Sequence, residues 1–156
     1  MNDFTPMQRA QDLLSQMSLE EKLYQLSAQM IYSVGVDYEE IRLHKEGNYR
    51  NPGHFMHYDR PEPVGAAQVA ERINRDVQLS MDAQPHRIPP IEHGEALHGA
   101  QWGMATSFPQ PIGMASTFND ELVGRIGDAI GKECVAVGVR QALTPVVNIA
   151  RDCRWG

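Results

Sequence analysis

Amphipathic helical patterns alternate with short extended runs in the second half of the chain, and this alternation limits the fold more than any other feature. Apolar residues recur every four positions over 63–83, and a second such stripe follows over 119–138. Each stripe is followed by an apolar run, at 88–91 and at 142–148. Helix and strand in this alternation predict an α/β fold with a parallel sheet covered by helices.

Two helix-capping patterns stand near the amino terminus. Residues 5–8 combine a capping threonine, a proline at the first helical position and a glutamine, which predict a helix to about Met17. Residues 18–21, Ser-Leu-Glu-Glu, repeat the pattern and predict a second helix. The apolar run 26–32 fits the start of a strand, although periodicity does not distinguish strand from helix over so few residues.

The segment 32–63 differs from the rest because it is rich in tyrosine, histidine, glycine and proline. It predicts a long loop with at most a short helix around 37–45, and loops of that length are often functional. Its aromatic side chains suit stacking against a flat ligand. His54 and His57 have the spacing of a metal-binding pair, but no further ligand follows at matching spacing. We therefore interpret them as solvated or stacked histidines.

Charge and composition exclude several kinds of partner. The net charge is −6 and the 14 basic residues are scattered, which argues against nucleic-acid binding and favours a neutral or polar small molecule. Residues 1–6 lack the features of a signal peptide, and no apolar run is long enough for a membrane span, so we expect a cytoplasmic protein that does not bind membranes. Cys134 and Cys153 are expected to be free thiols.

Polar residues follow both predicted strands of the second half. Glu95 comes after the first strand, and Arg151 and Asp152 follow the second. Ligands of α/β folds bind at the carboxyl ends of the strands, so the matched position favours a site. The carboxylate of Glu95 can accept hydrogen bonds from two adjacent hydroxyls, as in sugar binding. Arg151 and Asp152 either contribute to the same site or brace their own loop, and the sequence leaves both open.

Several blocks of the chain resemble the amino-terminal part of glycoside hydrolase family 3, which includes β-glucosidases and β-xylosidases. The blocks appear in the family's order and are residues 13–22, 88–99, 105–119 and 144–156. Cys153 departs from the pattern, since the family commonly has proline there, and the 32–63 loop is also less typical.

The resemblance implies the amino-terminal portion of a (β/α)₈ barrel, incomplete in this chain, and retaining hydrolysis of terminal, non-reducing β-linked sugars. It places at Glu95 an acidic residue that holds hydroxyls of the non-reducing sugar. The candidate substrate-binding residues are Glu95, His98, Arg151 and Asp152. In the family the nucleophile and the acid/base come later in the sequence, so the resemblance implies no catalytic residue here. We expect neither a metal ion nor a cofactor.

An incomplete barrel would leave a strand edge of its sheet without a neighbour. This chain would supply about three of the eight strands, and an uncovered parallel edge predicts aggregation or pairing with the remainder of the enzyme or, in a homo-oligomer, with a second copy. Two other functions stay open. One is a non-catalytic sugar-binding or interaction module derived from such an enzyme. The other is a metal-dependent enzyme that uses His54, His57, His93 and His98.

Overall fold

The helices and strands follow the alternation that the sequence predicts. A computed structural model describes residues 4–32, 52–58, 64–146, 148–149 and 151–154. The helices in these residues are α1 (Pro6–Gln16), α2 (Leu19–Gln25), α3 (Ala66–Asp82), α4 (Pro111–Ala115) and α5 (Asp120–Val137). The strands are β1 (Ala28–Tyr32), β2 (His54–Tyr58), β3 (Ile91–Glu95) and β4 (Gln141–Leu143).

The four strands form one sheet in the order β1-β2-β3-β4, and each neighbouring pair is parallel. Helices connect β2 to β3 and β3 to β4, as parallel neighbours require. The predicted parallel α/β architecture is therefore confirmed. Sequential parallel strands with helical crossovers are the repeating unit of a (β/α)₈ barrel, and the described residues contain four such strands rather than the three expected.

Capping residues fix the helix ends where the sequence predicts them. Thr5 and Ser18 each accept, through the side-chain oxygen, the backbone N–H of the residue three positions on, and each donates its own backbone N–H to that residue's side-chain oxygen. The side chain of Asn119 accepts the backbone N–H of Leu122 at 2.9 Å and begins α5. Gly138 ends that helix in the left-handed conformation, with φ of 98°.

Strand positions depart from the sequence predictions in three places. β2 lies inside the 32–63 segment, which was wrongly predicted to lack strands; its sequence HFMHY has no β-branched residue. The short helix predicted around 37–45 lies outside the described residues. β3 begins at Ile91, where the predicted run ends, because the two prolines before it have no N–H for a sheet. β4 is shorter than the predicted run 142–148 and ends at Leu143, two residues before Pro145.

Most of the buried apolar residues form two clusters beneath the helices. Val69 and Ile73 of α3 pack against Val137 of α5, which confirms the core role predicted for the α3 stripe. The second cluster consists of Ala96, Ala100, Ile130 and Cys134. Trp102 is partly buried and packs against both clusters. None of the helices in the described ranges combines the length and apolar character needed to span a bilayer.

Candidate functional site

The carboxyl end of β3 presents Glu95 on the face of the sheet that lies away from α3. His57 of β2 and Glu92 of β3 both belong to the α3 side, since a hydrogen bond joins them and His57 also contacts Asp76 of α3. Side chains alternate between the two faces of a strand, so Glu95 points to the opposite side. Among the described residues, no hydrogen bond or ion pair engages the Glu95 carboxylate. This carboxylate is therefore available to a ligand at the edge where α/β proteins bind one.

The loop that follows Glu95 is closed by hydrogen bonds at its base. Phe108 donates its backbone N–H to the carbonyl of His98 at 2.7 Å, and His98 Nδ1 lies 3.2 Å from the carbonyl oxygen of Phe108. Gly99 has φ of 146°, and a Cβ there would overlap the carbonyl of Thr106. Thr106 donates its N–H and its hydroxyl to the Glu133 carboxylate of α5, at 3.0 and 2.7 Å. The loop that carries His98 is thus fixed to the scaffold beside Glu95.

The candidates Arg151 and Asp152 lie on an exposed loop after β4. The Asp152 carboxylate accepts hydrogen bonds from Arg154, from Nε at 2.8 Å and from Nη2 at 2.6 Å, as well as from its backbone N–H. These bonds lower the pKa of Asp152 to about 2. The arrangement favours the bracing role for Asp152. Substrate binding by Glu95, His98, Arg151 and Asp152 stays a prediction.

A buried ionic network connects β2, β3 and α3. His57 lies between two carboxylates, with Nδ1 2.8 Å from Glu92 Oε2 and Nε2 3.0 Å from Asp76 Oδ2. The three side chains are at most 7% exposed. Burial by itself lowers the pKa of His57, but the hydrogen bonds and negative charges of Asp76 and Glu92 outweigh it and raise the pKa to about 9. His57 is therefore an imidazolium at neutral pH.

Sequence reasoning missed this network because its members are distant along the chain. Asp76 and Glu92 lie 19 and 35 residues after His57, so no local spacing could indicate them. His57 is not solvated, but the stacked interpretation holds for it, since its ring packs edge-on against that of Phe55 with centroids 5.9 Å apart. For His54 the stacked interpretation is confirmed, since its ring packs edge-on against that of His93 with centroids 5.8 Å apart.

The histidines proposed for a metal site do not converge. Both ring nitrogens of His57 are engaged by carboxylates, and His98 Nδ1 lies against a backbone carbonyl. Burial, together with the charge of the neighbouring His54, lowers the pKa of His93. Within the described ranges, no group of three or more His, Cys, Asp or Glu side chains has an arrangement that could hold a metal ion.

Curated relatives of this chain are named as enzymes that act on β-linked sugars. It is 28% identical to "Beta-glucosidase C" of Emericella nidulans over 95% of the chain and 25% of the relative. It is 29% identical to "Periplasmic beta-glucosidase/beta-xylosidase" of Dickeya chrysanthemi over 95% of the chain and 24% of the relative. A third, "Lysosomal beta glucosidase" of Dictyostelium discoideum, is 28% identical over 92% of the chain and 19% of the relative.

The matched part of these relatives agrees with the fold. The chain spans about a fifth to a quarter of the length of the curated relatives it matches. The family model described as "Glycosyl hydrolase family 3 N terminal domain" matches residues 18–156, which include every strand described above. That domain is of the (β/α)₈ barrel type, in accordance with the parallel sheet. The chain therefore belongs to glycosyl hydrolase family 3.

Proposed function

We propose that this chain supplies part of the sugar-binding subsite of a retaining β-glycosidase that hydrolyses terminal, non-reducing β-linked glucose or xylose. The observation that supports this proposal is the position of Glu95 at the carboxyl end of a parallel strand, where no described residue forms a hydrogen bond or ion pair with its carboxylate. The chain also belongs to a family whose members are named β-glucosidases and β-xylosidases. Its two oxygens accept hydrogen bonds from adjacent hydroxyls of the sugar. His98 would add a polar contact through Nε2, because its other ring nitrogen, Nδ1, already lies against the carbonyl of Phe108.

The nucleophile and the acid/base belong to other residues of the enzyme in this proposal. Retaining hydrolysis needs two carboxyl groups about 5 to 5.5 Å apart on either side of the scissile bond. Glu92 is the nearest carboxylate to Glu95 along β3, but it lies on the α3 side and is engaged by His57. It therefore does not serve as the partner of Glu95. By this reasoning the chain alone binds sugar weakly and does not catalyse hydrolysis.

The test replaces Glu95 with glutamine in the catalytically complete enzyme that carries this chain. A hydrogen bond to a charged group contributes about 1.5–3 kcal/mol, so we expect kcat/KM for an aryl β-glucoside or β-xyloside to fall roughly 10- to 150-fold. Folding should be unaffected because no hydrogen bond or ion pair among the described residues uses this carboxylate. Glu121→Gln, an exposed acid in the first turn of α5, is the matched control. Kinetics of Glu95→Gln that equal those of the control would refute the role.

A non-catalytic sugar-binding module is the second candidate, favoured because Glu92, the other carboxylate of β3, is engaged by His57 and does not face Glu95. It predicts that the 156-residue chain is a soluble monomer that binds glucose or xylose without further protein. The glycosidase proposal instead predicts that the chain pairs with the remainder of the enzyme or with a second copy. Cytoplasmic location also stays a prediction, because relatives are named periplasmic and lysosomal; cell fractionation tests it.

A further inference from the structure

The backbone ladder between β2 and β3 stops before the strands do. β1 and β2 pair over all five residues, to Tyr32 opposite Tyr58. β2 and β3 pair only at His54 with Ile91 and at Phe55 with Glu92. Beyond these pairs, at the carboxyl end where Glu95 stands, backbone hydrogen bonds do not set the spacing of the two strands.

A side chain takes the place of the missing ladder. The backbone N–H of His57 donates to Glu92 Oε1 at 3.0 Å, where a ladder would offer a carbonyl of β3. The other oxygen, Glu92 Oε2, lies 2.8 Å from Nδ1 of the same histidine. Both oxygens of one carboxylate on β3 are thus bound by one residue of β2, through its main chain and its side chain.

The network is anchored to α3 and is neutral as a whole. His57 Nε2 contacts Asp76 Oδ2 at 3.0 Å, and Arg75 Nε lies 3.3 Å from Asp76 Oδ1. The charges alternate in sign along the series of contacts Arg75, Asp76, His57 and Glu92, so each buried carboxylate has a cation beside it. Buried charges in such an arrangement resist rearrangement, because removing one member leaves another unpaired.

We infer that His57 is a positioning residue for the sugar-binding carboxylate of Glu95. Through Glu92, His57 sets the spacing and direction of the carboxyl ends of β2 and β3. It thereby sets the position of Glu95, which lies three residues after Glu92. This inference rests on the proposed role of Glu95. A small displacement of a substrate-binding group raises KM even when the fold is intact; a misplacement of about 1 Å can lower kcat/KM roughly 100-fold.

The experiment is a double-mutant cycle in the catalytically complete enzyme that carries this chain. His57→Gln and Glu92→Gln are each made alone and together with Glu95→Gln, and kcat and KM are measured at a temperature where circular dichroism shows every variant folded. We expect each single network variant to raise KM roughly tenfold, and to have no further effect in the Glu95→Gln background, because both act on the same contact. Lys132→Gln, which removes the exposed Lys132–Asp128 pair of α5, should leave kinetics unchanged.

The outcomes separate this inference from the proposed function. An unchanged KM in folded His57→Gln, or an equal loss in the presence and absence of Glu95, would overturn the positioning role while the proposed function stands. Unchanged kinetics of Glu95→Gln would overturn both. If His57→Gln does not fold, Glu92→Gln decides the question, since its amide oxygen still accepts the His57 backbone N–H while the contact with the His57 ring and the negative charge are lost.

Discussion

The buried imidazolium of His57 makes the stability of this domain depend on pH in a defined window. The pKa of His57 is about 9 in the folded protein, against about 6.5 for an unperturbed histidine. Between these values the folded state keeps a proton that the unfolded state has released. The contribution is therefore fully present below pH ~6.5 and is lost as the pH rises through about 9.

The size of the effect follows from the shift. One pKa unit corresponds to about 1.4 kcal/mol, so the free energy of unfolding should fall by about 3 kcal/mol across the window. Two other groups that burial shifts, His93 and Cys134, act at the two ends of this window. The pKa of His93 is lowered, so it affects stability at more acidic pH, and burial raises the pKa of the Cys134 thiol above its ordinary value of 9.0.

Urea unfolding at constant ionic strength, from pH 6.5 to 9, measures how the free energy of unfolding changes with pH in the protein that carries the chain. Trp102 packs against both buried clusters, so its fluorescence reports unfolding of this domain. His57→Gln should be less stable at pH 6.5 and should lose most of the pH dependence. A wild-type stability that is constant across the window would refute the charged state of His57, and so would an equal slope in the variant.

Two further changes test the packing around the site. Gly53→Ala should destabilise the protein by about 1–3 kcal/mol or more, because a Cβ would overlap the backbone carbonyl of Gln25 at the end of α2. Gly127→Ala, on the open face of α5, should stabilise it by about 0.5–1 kcal/mol. Thermal unfolding distinguishes the two variants, and equal effects would contradict the close approach of Gly53 to Gln25. Glu133→Gln weakens the hydrogen bonds that Thr106 donates to residue 133, so the Thr106 amide should exchange hydrogen about tenfold faster. Unchanged exchange would show that these hydrogen bonds do not form.

Local sequence signals predict the helices well. The caps at Thr5, Ser18 and Asn119 and the stop at Gly138 depend on residues within four positions, so their chemistry is visible in the sequence itself. The same holds for the stripe of α3, whose period indicates its buried face.

The strands and the ionic network are less accessible to such reasoning. β2 is a short strand flanked by turn-forming residues, and its place in the sheet depends on neighbours that the sequence does not identify. His57 finds its partners only when β2, β3 and α3 come together. Glu95 could be proposed from its place after a predicted strand and from the family resemblance, whereas the direction of its side chain required the sheet.

A crystal structure of the catalytically complete enzyme with glucose or xylose in the subsite tests the central claim most directly. We predict that the two carboxylate oxygens of Glu95 lie about 2.5 to 3.0 Å from adjacent hydroxyls of the sugar, at the carboxyl end of β3. A sugar bound with its hydroxyls more than about 3.5 Å from Glu95 would contradict the account.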